Sequence, residues 1–316
     1  MFALCVEASH ARGMGHLFRA FALAEALEAA GARVLIYVNE DAGAARALDE
    51  RGRAWRLVPL QKGGTANWEA ERIRSDGIKV WVNDRFETTA AHARRVLDAG
   101  ARLATMNDSG SGAALADLHI AAVALAEPEK PQGRRVLAGL EYLVLDPAIA
   151  RFRRPRLELH SLVVSMGGSD TYGLTVEVVR QLRARKLRAS VVIGPGFAHE
   201  AELGRVVDDS FILKRSLRSL PEEFARHDLA ITAGGVTPFE ANAAGLPCIV
   251  IGTESWEERA GMMLAKLGGC YYAGPRRQVD WSVLERPLPI AQMSEAALAA
   301  VPTDGAQRVA RELLAL

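Results

Sequence analysis

At 316 residues the chain has the length of two ordinary domains. Its 49% hydrophobic and 24% charged residues exclude intrinsic disorder, and 39 basic against 38 acidic side chains, a net +1, exclude the strongly basic composition of a nucleic-acid binder. Cys5, Cys248 and Cys270 stand singly in apolar stretches without metal-ligand spacing, which points to reduced, buried thiols, no metal site and a cytoplasmic setting.

Residues 2–7 read as a buried first strand and not as a signal peptide, because no basic segment precedes them and Glu7, His10 and Arg12 follow at once. No run reaches the ~18 uninterrupted apolar residues of a membrane span. The stretch Gly13-Met14-Gly15-His16-Leu17-Phe18-Arg19 then leads into an Ala- and Leu-rich helix over 17–30. Strands are predicted at 32–37, 55–58, 80–82 and 102–106, with helices at 41–50, 68–75 and 88–99 between and around them. This is a repeated βα pattern, and its near-continuous apolar strands predict a parallel sheet covered on both faces.

The pattern weakens through residues 126–155, where prolines and the cluster Arg151, Arg153 and Arg154 mark an irregular crossing. We place a domain boundary there, giving domains 1–154 and 155–316. A second βα series follows, with strands at 159–165, 190–193, 229–232 and 248–251. Its helices are predicted at 175–183, 217–226, 237–244, 257–267 and 294–316. The fold class is α/β, with two Rossmann-like domains.

Neither half carries a Gly-x-Gly-x-x-Gly with a ribose-binding acid or a Walker A lysine. The glycines fall instead at the carboxyl ends of predicted strands, where open α/β sheets bind ligands, and two such edges facing one another predict a ligand cleft. Gly13 and Gly15 permit close backbone approach of a sugar or phosphate, or else a tight turn. His16 stands at a strand-to-helix junction, where the positive end of a helix disfavours a cationic ring and leaves the imidazole able to accept a proton. Arg19, three residues on and on nearly the same helical face, suits a phosphate or a carboxylate; a solvated arginine is the alternative.

Three motifs carry a resemblance. They are residues 13–19, Val164-Ser165-Met166-Gly167-Gly168-Ser169-Asp170, and Thr232-Ala233-Gly234-Gly235 followed by Glu240 and Gly245-Leu246-Pro247. In this order and at these spacings they resemble the nucleotide-sugar enzymes of the GT-B fold. More narrowly they resemble the UDP-sugar hydrolase of pseudaminic acid biosynthesis and its spore-coat polysaccharide relatives. The resemblance implies that His16 is the catalytic residue that helps water attack the anomeric carbon of a UDP-linked sugar, without metal or cofactor. It also implies that Gly234, Gly235, Val236 and Thr237 present amides to the diphosphate and that Glu240 grips the ribose.

Gly167, Gly168 and Ser169 offer amides and a hydroxyl to a phosphate or sugar, whereas Asp170 is better suited to capping the following helix. Residues 194–196 and 214–217 are expected to border the uracil, and Gly15, Asp84 and Asn107 to hold the sugar. Phe86, Thr253-Glu254 and Asn107-Asp108 depart from the hydrolase pattern, which implies a tyrosine, an Asn-Gln pair and an Asp-Asp there. The expected function is hydrolysis of a UDP-sugar, with a glycosyltransferase or a non-catalytic nucleotide-sugar binder as alternatives.

Overall fold

The computed structural model describes residues 1–7, 15–60, 67–85, 87–123, 130–215, 217 and 219–316. They form two compact units, Met1–Pro147 with Asp304–Leu316, and Ala148–Thr303.

In the first unit, strands β1 (Phe2–Val6), β2 (Val34–Val38), β3 (Trp55–Leu57), β4 (Val80–Asp84), β5 (Arg102–Met106), β6 (Leu118–Ala121) and β7 (Val136–Ala138) make one sheet. Helices α1 (Gly15–Ala29), α2 (Ala42–Glu50), α3 (Trp68–Asp76) and α4 (Ala90–Asp98) connect its first five strands. The parallel order is β3-β2-β1-β4-β5-β6-β7. β1 and β4 are buried along their whole length, which is why both read as unbroken apolar runs up to their last residues. Polar side chains set the helix starts: Asp41 accepts from Ala44 N at 2.9 Å, and Thr89 accepts from His92 N at 3.2 Å. Tyr37 and Trp81 stack at 5.1 Å between ring centroids within the core.

The second unit begins with α5 (Ile149–Phe152) and repeats the plan with β8 (Leu162–Ser165), β9 (Ala189–Ile193), β10 (Phe211–Arg215), β11 (Leu229–Ala233), β12 (Cys248–Gly252) and β13 (Cys270–Pro275). The order is β10-β9-β8-β11-β12-β13, again parallel. Helices α6 (Leu174–Ala184), α7 (Glu200–Val206), α8 (Leu220–Phe224), α9 (Thr237–Ala243), α10 (Ser255–Lys266) and α11 (Ile290–Ala300) complete it. Each sheet therefore reverses its strand order once, between β1 and β4 and between β8 and β11, which is the Rossmann arrangement.

The arginine cluster read as an irregular crossing has a structural task. Arg153 donates to the carbonyls of Ala243 at 2.6 Å and Val301 at 2.9 Å, and Arg154 to that of Ala225 at 2.9 Å. Arg156 donates to the carbonyls of Phe224 at 3.0 Å, His227 at 3.2 Å and Ala244. These carbonyls end α8, α9 and α11, so three helix C-termini converge on positive charge. Burial pulls the Arg156 guanidinium down to about 10, and its bonds to carbonyls keep it charged there. Holding α9 by its far end fixes where its first turn points.

The C-terminal region corrects the sequence reading. The single helix expected over 294–316 is two, α11 and α12 (Gly305–Leu314), because Pro302 cannot continue a helix and keeps Val301 extended, with φ −119° and ψ 100°. α12 packs on α1 of the first unit, Arg135 and Glu312 pair at 2.5 Å, and Gly305 lies against the Leu143 carbonyl where no side chain fits. The division between units thus falls at Pro147/Ala148 and again at Thr303/Asp304, instead of once near Pro155.

Candidate active site

The strand reversal of the first unit brings the end of β1 beside the end of β4, with Val6 paired to Asp84. Gly15 opens α1, so His16 sits in its first turn and Arg19 one turn further along the same face. Asp84, the last residue of β4, is buried, with 3% of its surface exposed. His16 Nδ1 lies 2.7 Å from Asp84 Oδ1, and Arg19 Nε donates to Asp84 Oδ2 at 2.6 Å. A second Arg19 nitrogen, Nη2, bonds Asp84 Oδ1 and stands 2.9 Å from His16 Nδ1.

These contacts assign the histidine tautomer. An ionised carboxylate only accepts, so the 2.7 Å contact requires the proton on Nδ1. Arg19 Nη2 gives one of its two hydrogens to Asp84 Oδ1, and its 2.9 Å approach to a protonated Nδ1 is a contact between two donors and not a hydrogen bond. Burial alone would raise the Asp84 pKa, but the charges of Arg19 and His16 and their hydrogen bonds outweigh it and hold the carboxyl down at about 2. Asp84 therefore uses both oxygens to hold His16 and Arg19, and Arg19 takes the carboxylate-binding course that its spacing allowed.

Asn107 and Asp108 follow β5 at the same sheet edge. Asn107 adopts a left-handed φ of 47°, and its Oδ1 accepts from Val123 N at 3.1 Å. Asp108 Oδ1 accepts from Thr88 N at 2.9 Å and Gly110 N at 2.8 Å, tying the loop after β5 to the loop after β4. Thr88 is held from below by Asn83 Nδ2 at 3.2 Å, and Asn83 itself accepts from Trp81 Nε1 at 2.9 Å. A buried polar chain thus fixes the backbone on either side of Asp84.

In the second unit the corresponding reversal places the loop after β8 beside the turn after β11. Gly167 has φ +88°, which requires glycine, and Asp170 caps α6 by accepting from Leu174 N and Thr175 N, each at 2.8 Å. Ser169 Oγ lies 3.4 Å from Thr171 Oγ1. Gly196 N donates to Gly168 O at 2.8 Å, so residues 194–196 pack beneath the first glycine loop.

After β11, Gly234 and Gly235 lead through Val236 to Thr237 and Pro238 at the start of α9, with Glu240 in its first turn. The two glycines differ. A methyl on Gly234 would meet the Glu257 carbonyl oxygen at 2.5 Å, so protein packing alone requires glycine there. A methyl on Gly235 would meet nothing nearer than Glu257 Oε1 at 3.4 Å and Trp256 at 3.9 Å, and one on Gly168 would meet nothing within 4 Å. Neither residue has a left-handed φ. Packing and backbone conformation leave these two glycines unexplained, and both line the crevice at the strand reversal.

Sequence reading missed Glu257. It is buried against this turn, accepts from Thr253 N at 3.0 Å and from the Thr253 hydroxyl, and burial raises its carboxyl above the usual range. Adjacent glutamates in the first turn of a helix, here Glu257 and Glu258, read as ordinary solvated first-turn carboxylates and give no signal that one of them is buried. In the segment 214–217, expected to border a base, the Lys214 and Arg215 side chains pair with Glu223 at 3.7 Å and Glu200 at 2.6 Å. Gly13, Phe86 and Ser216 lie outside the described residues.

Comparison with known proteins fixes the fold. Over its full length the chain superposes on MurG of Acinetobacter baumannii with a TM-score of 0.72 at 14% identity, covering 100% of this chain and 99% of that one. It has the GT-B fold. The same GT-B likeness extends to the spinosyn rhamnosyltransferase SpnG, with a TM-score of 0.65, 16% identity and full coverage of both chains (100% each). It extends also to HepE of Anabaena in complex with UDP, with a TM-score of 0.63, 14% identity and 100% coverage of each chain. No protein-family model matches the chain. In sequence it is 23% identical over 270 residues to an uncharacterized protein of Methanocaldococcus jannaschii, a match that takes in 79% of this chain and 55% of that protein, so the chain spans about half of that relative's length. It is 23% identical over 263 residues to the spore coat polysaccharide biosynthesis protein SpsG of Bacillus subtilis, covering 78% of this chain and 75% of SpsG.

Two expected outcomes follow from this GT-B geometry. Because the Asp84 pKa falls from 3.8 to about 2 on folding, its contribution is complete above pH 3.8 and is lost as pH drops toward 2. In urea titrations, the stability difference between wild type and Asp84→Asn should be flat above roughly pH 4 and change by about 2 kcal/mol between there and about pH 2. A difference that stays constant over that window assigns the titration elsewhere. In the same assay at neutral pH, Gly234→Ala should lose about 1–3 kcal/mol through overpacking. Gly235→Ala should stay within about 0.5 kcal/mol of wild type. Equal losses would mean that Gly235 is also a packing requirement.

Proposed function

We propose that this GT-B protein is a metal-independent, cytoplasmic enzyme that hydrolyses a UDP-linked sugar, of the acetamido-deoxy class used for nonulosonic acids or surface polysaccharides. The observation that carries the reading is His16 held by a buried, ionised Asp84 that Arg19 fixes in place. With its Nδ1 proton on Asp84, the ring takes a proton through Nε2. Water that loses its proton to Nε2 attacks the anomeric carbon as the bond to the UDP oxygen breaks, which inverts the configuration. Asp84 stabilises the imidazolium so formed, and Arg19 keeps Asp84 ionised throughout.

The leaving UDP is assigned to the second unit. The loop at Gly167, Gly168 and Ser169 and the turn at Gly234 and Gly235 lie at its strand reversal, where the two glycines without a packing reason let phosphate oxygens approach backbone amides. Val236 and Thr237 continue that turn, and Glu240 is assigned to the ribose. Gly13, Gly15 and Asn107 are assigned to the sugar side, and Asp84 to positioning His16. The solved likenesses give a second reading specific support, because one is a rhamnosyltransferase and another binds UDP. In that reading a sugar hydroxyl replaces water at His16.

UDP release from candidate UDP-sugars, measured with and without sugar acceptors, tests these readings. Release in buffer alone is expected; release only with an acceptor would establish the transferase, and binding without turnover a binder. His16→Ala should lower kcat by about 10²–10⁴-fold with little change in UDP affinity. Asp84→Asn should cost about 10²-fold or more in kcat, because an amide does not stabilise the imidazolium. Full turnover by His16→Ala would overturn the assignment of the base.

A further inference from the structure

At the carboxyl edge of the second sheet, three side chains from separate loops meet. Tyr172 lies in the loop after β8, Glu254 follows β12, and Arg276 follows β13. The strand order separates β8 from β13 by β11 and β12, a span of roughly 14 Å at the usual strand spacing. The Arg276 guanidinium nevertheless stacks 3.8 Å from the centroid of the Tyr172 ring, and the Tyr172 hydroxyl donates to Glu254. The loops after β8 and β13 therefore reach one another at the carboxyl edge of the sheet, the edge from which the Gly234–Gly235 turn also leaves.

Arg276 is half-buried and anchored at its base. Its backbone N–H donates to Gly252 O at 2.8 Å, and its Nε to Thr253 O at 3.4 Å. No carboxylate pairs with its guanidinium among the described residues, whereas many other arginines of this chain have such a partner. The Glu254 carboxylate is drawn instead to the Tyr172 hydroxyl. Together with Thr253, Glu254, Ser255 and Glu258, Arg276 lines a cavity of about 460 Å³, so a solute has access to it. Stacking on the tyrosine ring holds the planar fork in one orientation, which lowers the entropy lost when it takes up an anion.

Charge gives the fork a task. Glu254 and Glu258 line the cavity beside Arg276 and Glu257 packs against the Gly234–Gly235 turn, and carboxylates beside a diphosphate are repulsive. A cation at the same edge offsets that repulsion. Building on the nucleotide reading above, we infer that Arg276, oriented by Tyr172, grips the diphosphate of the nucleotide and supplies positive charge to the leaving UDP. It binds as a bidentate donor to phosphate oxygens, and Tyr172 acts as its positioning residue.

Titration calorimetry with UDP, uridine and inorganic pyrophosphate tests this on the full chain. Arg276→Gln should weaken UDP binding by roughly 10- to 100-fold, weaken pyrophosphate in parallel, and leave uridine within about twofold. Arg276→Lys, which keeps the charge but loses the fork and the stack, should fall between the two. Tyr172→Ala should weaken UDP and not uridine. Arg205→Gln in the last turn of α7, with the same change in net charge, should stay near wild type, and thermal unfolding checks that each variant is folded. If wild type binds UDP and Arg276→Gln binds it equally well, or if the Arg276 and Arg205 variants weaken it alike, the role of Arg276 is overturned while the nucleotide reading stands. If wild type binds no UDP, the nucleotide reading fails and this inference fails with it.

Discussion

One topological constraint organises both halves of this molecule. In a parallel sheet wound outward from its middle, the connections from two adjacent central strands leave toward opposite faces, and a crevice opens between them at the carboxyl edge. Here that happens between β1 and β4 and between β8 and β11. The part-buried histidine, paired with a buried aspartate, occupies the first crevice and the two glycines without a packing reason occupy the second. Little else in the fold dictates where chemistry can sit; the remaining elements hold these edges rigid. The polar chain through Asn83, Thr88 and Asp108 fixes the loops around Asp84, and the arginines at 153–156 fix α9 by its far end.

Within the first crevice, burial and charge oppose each other, and geometry decides the outcome. An isolated carboxylate with 3% exposure would bind a proton, and His16 would lose its orienting partner. The charge of Arg19, with that of His16 and the hydrogen bonds from both, reverses that balance. The arginine holds both carboxylate oxygens of Asp84, so the carboxylate that orients His16 is itself fixed. A positively charged group three residues from the histidine thus controls the ring's orientation without competing for its second nitrogen.

Much of this was legible in the sequence, for identifiable reasons. Strands buried on both faces, such as β1, β4 and β5, read as apolar runs, and Asp170 read as a helix cap because a carboxylate after two glycines has few other local uses. The missed elements were short or peripheral. β6 and β7 have four and three residues, and His119 interrupts the apolar signal in one of them. β10 and β13 are outer strands with half-exposed patterns. The link between His16 and Asp84 spans 68 residues and depends on which strand lies beside β1, information held only in the strand order. The same holds for Glu257 and for the stacked pair Tyr172 and Arg276. Local patterns identified the residues with chemical capacity, and the long-range pairing determined which of them act on one another.

The division of labour between the crevices is the central claim: the base in the β1–β4 crevice, the diphosphate in the β8–β11 crevice. A crystal structure with bound UDP tests it most directly. The phosphate oxygens should lie within hydrogen-bonding distance of backbone amides around Gly168 and Gly235, with no phosphate contact to His16. Density placing the diphosphate on the first turn of α1, in contact with His16 and Arg19, would contradict it.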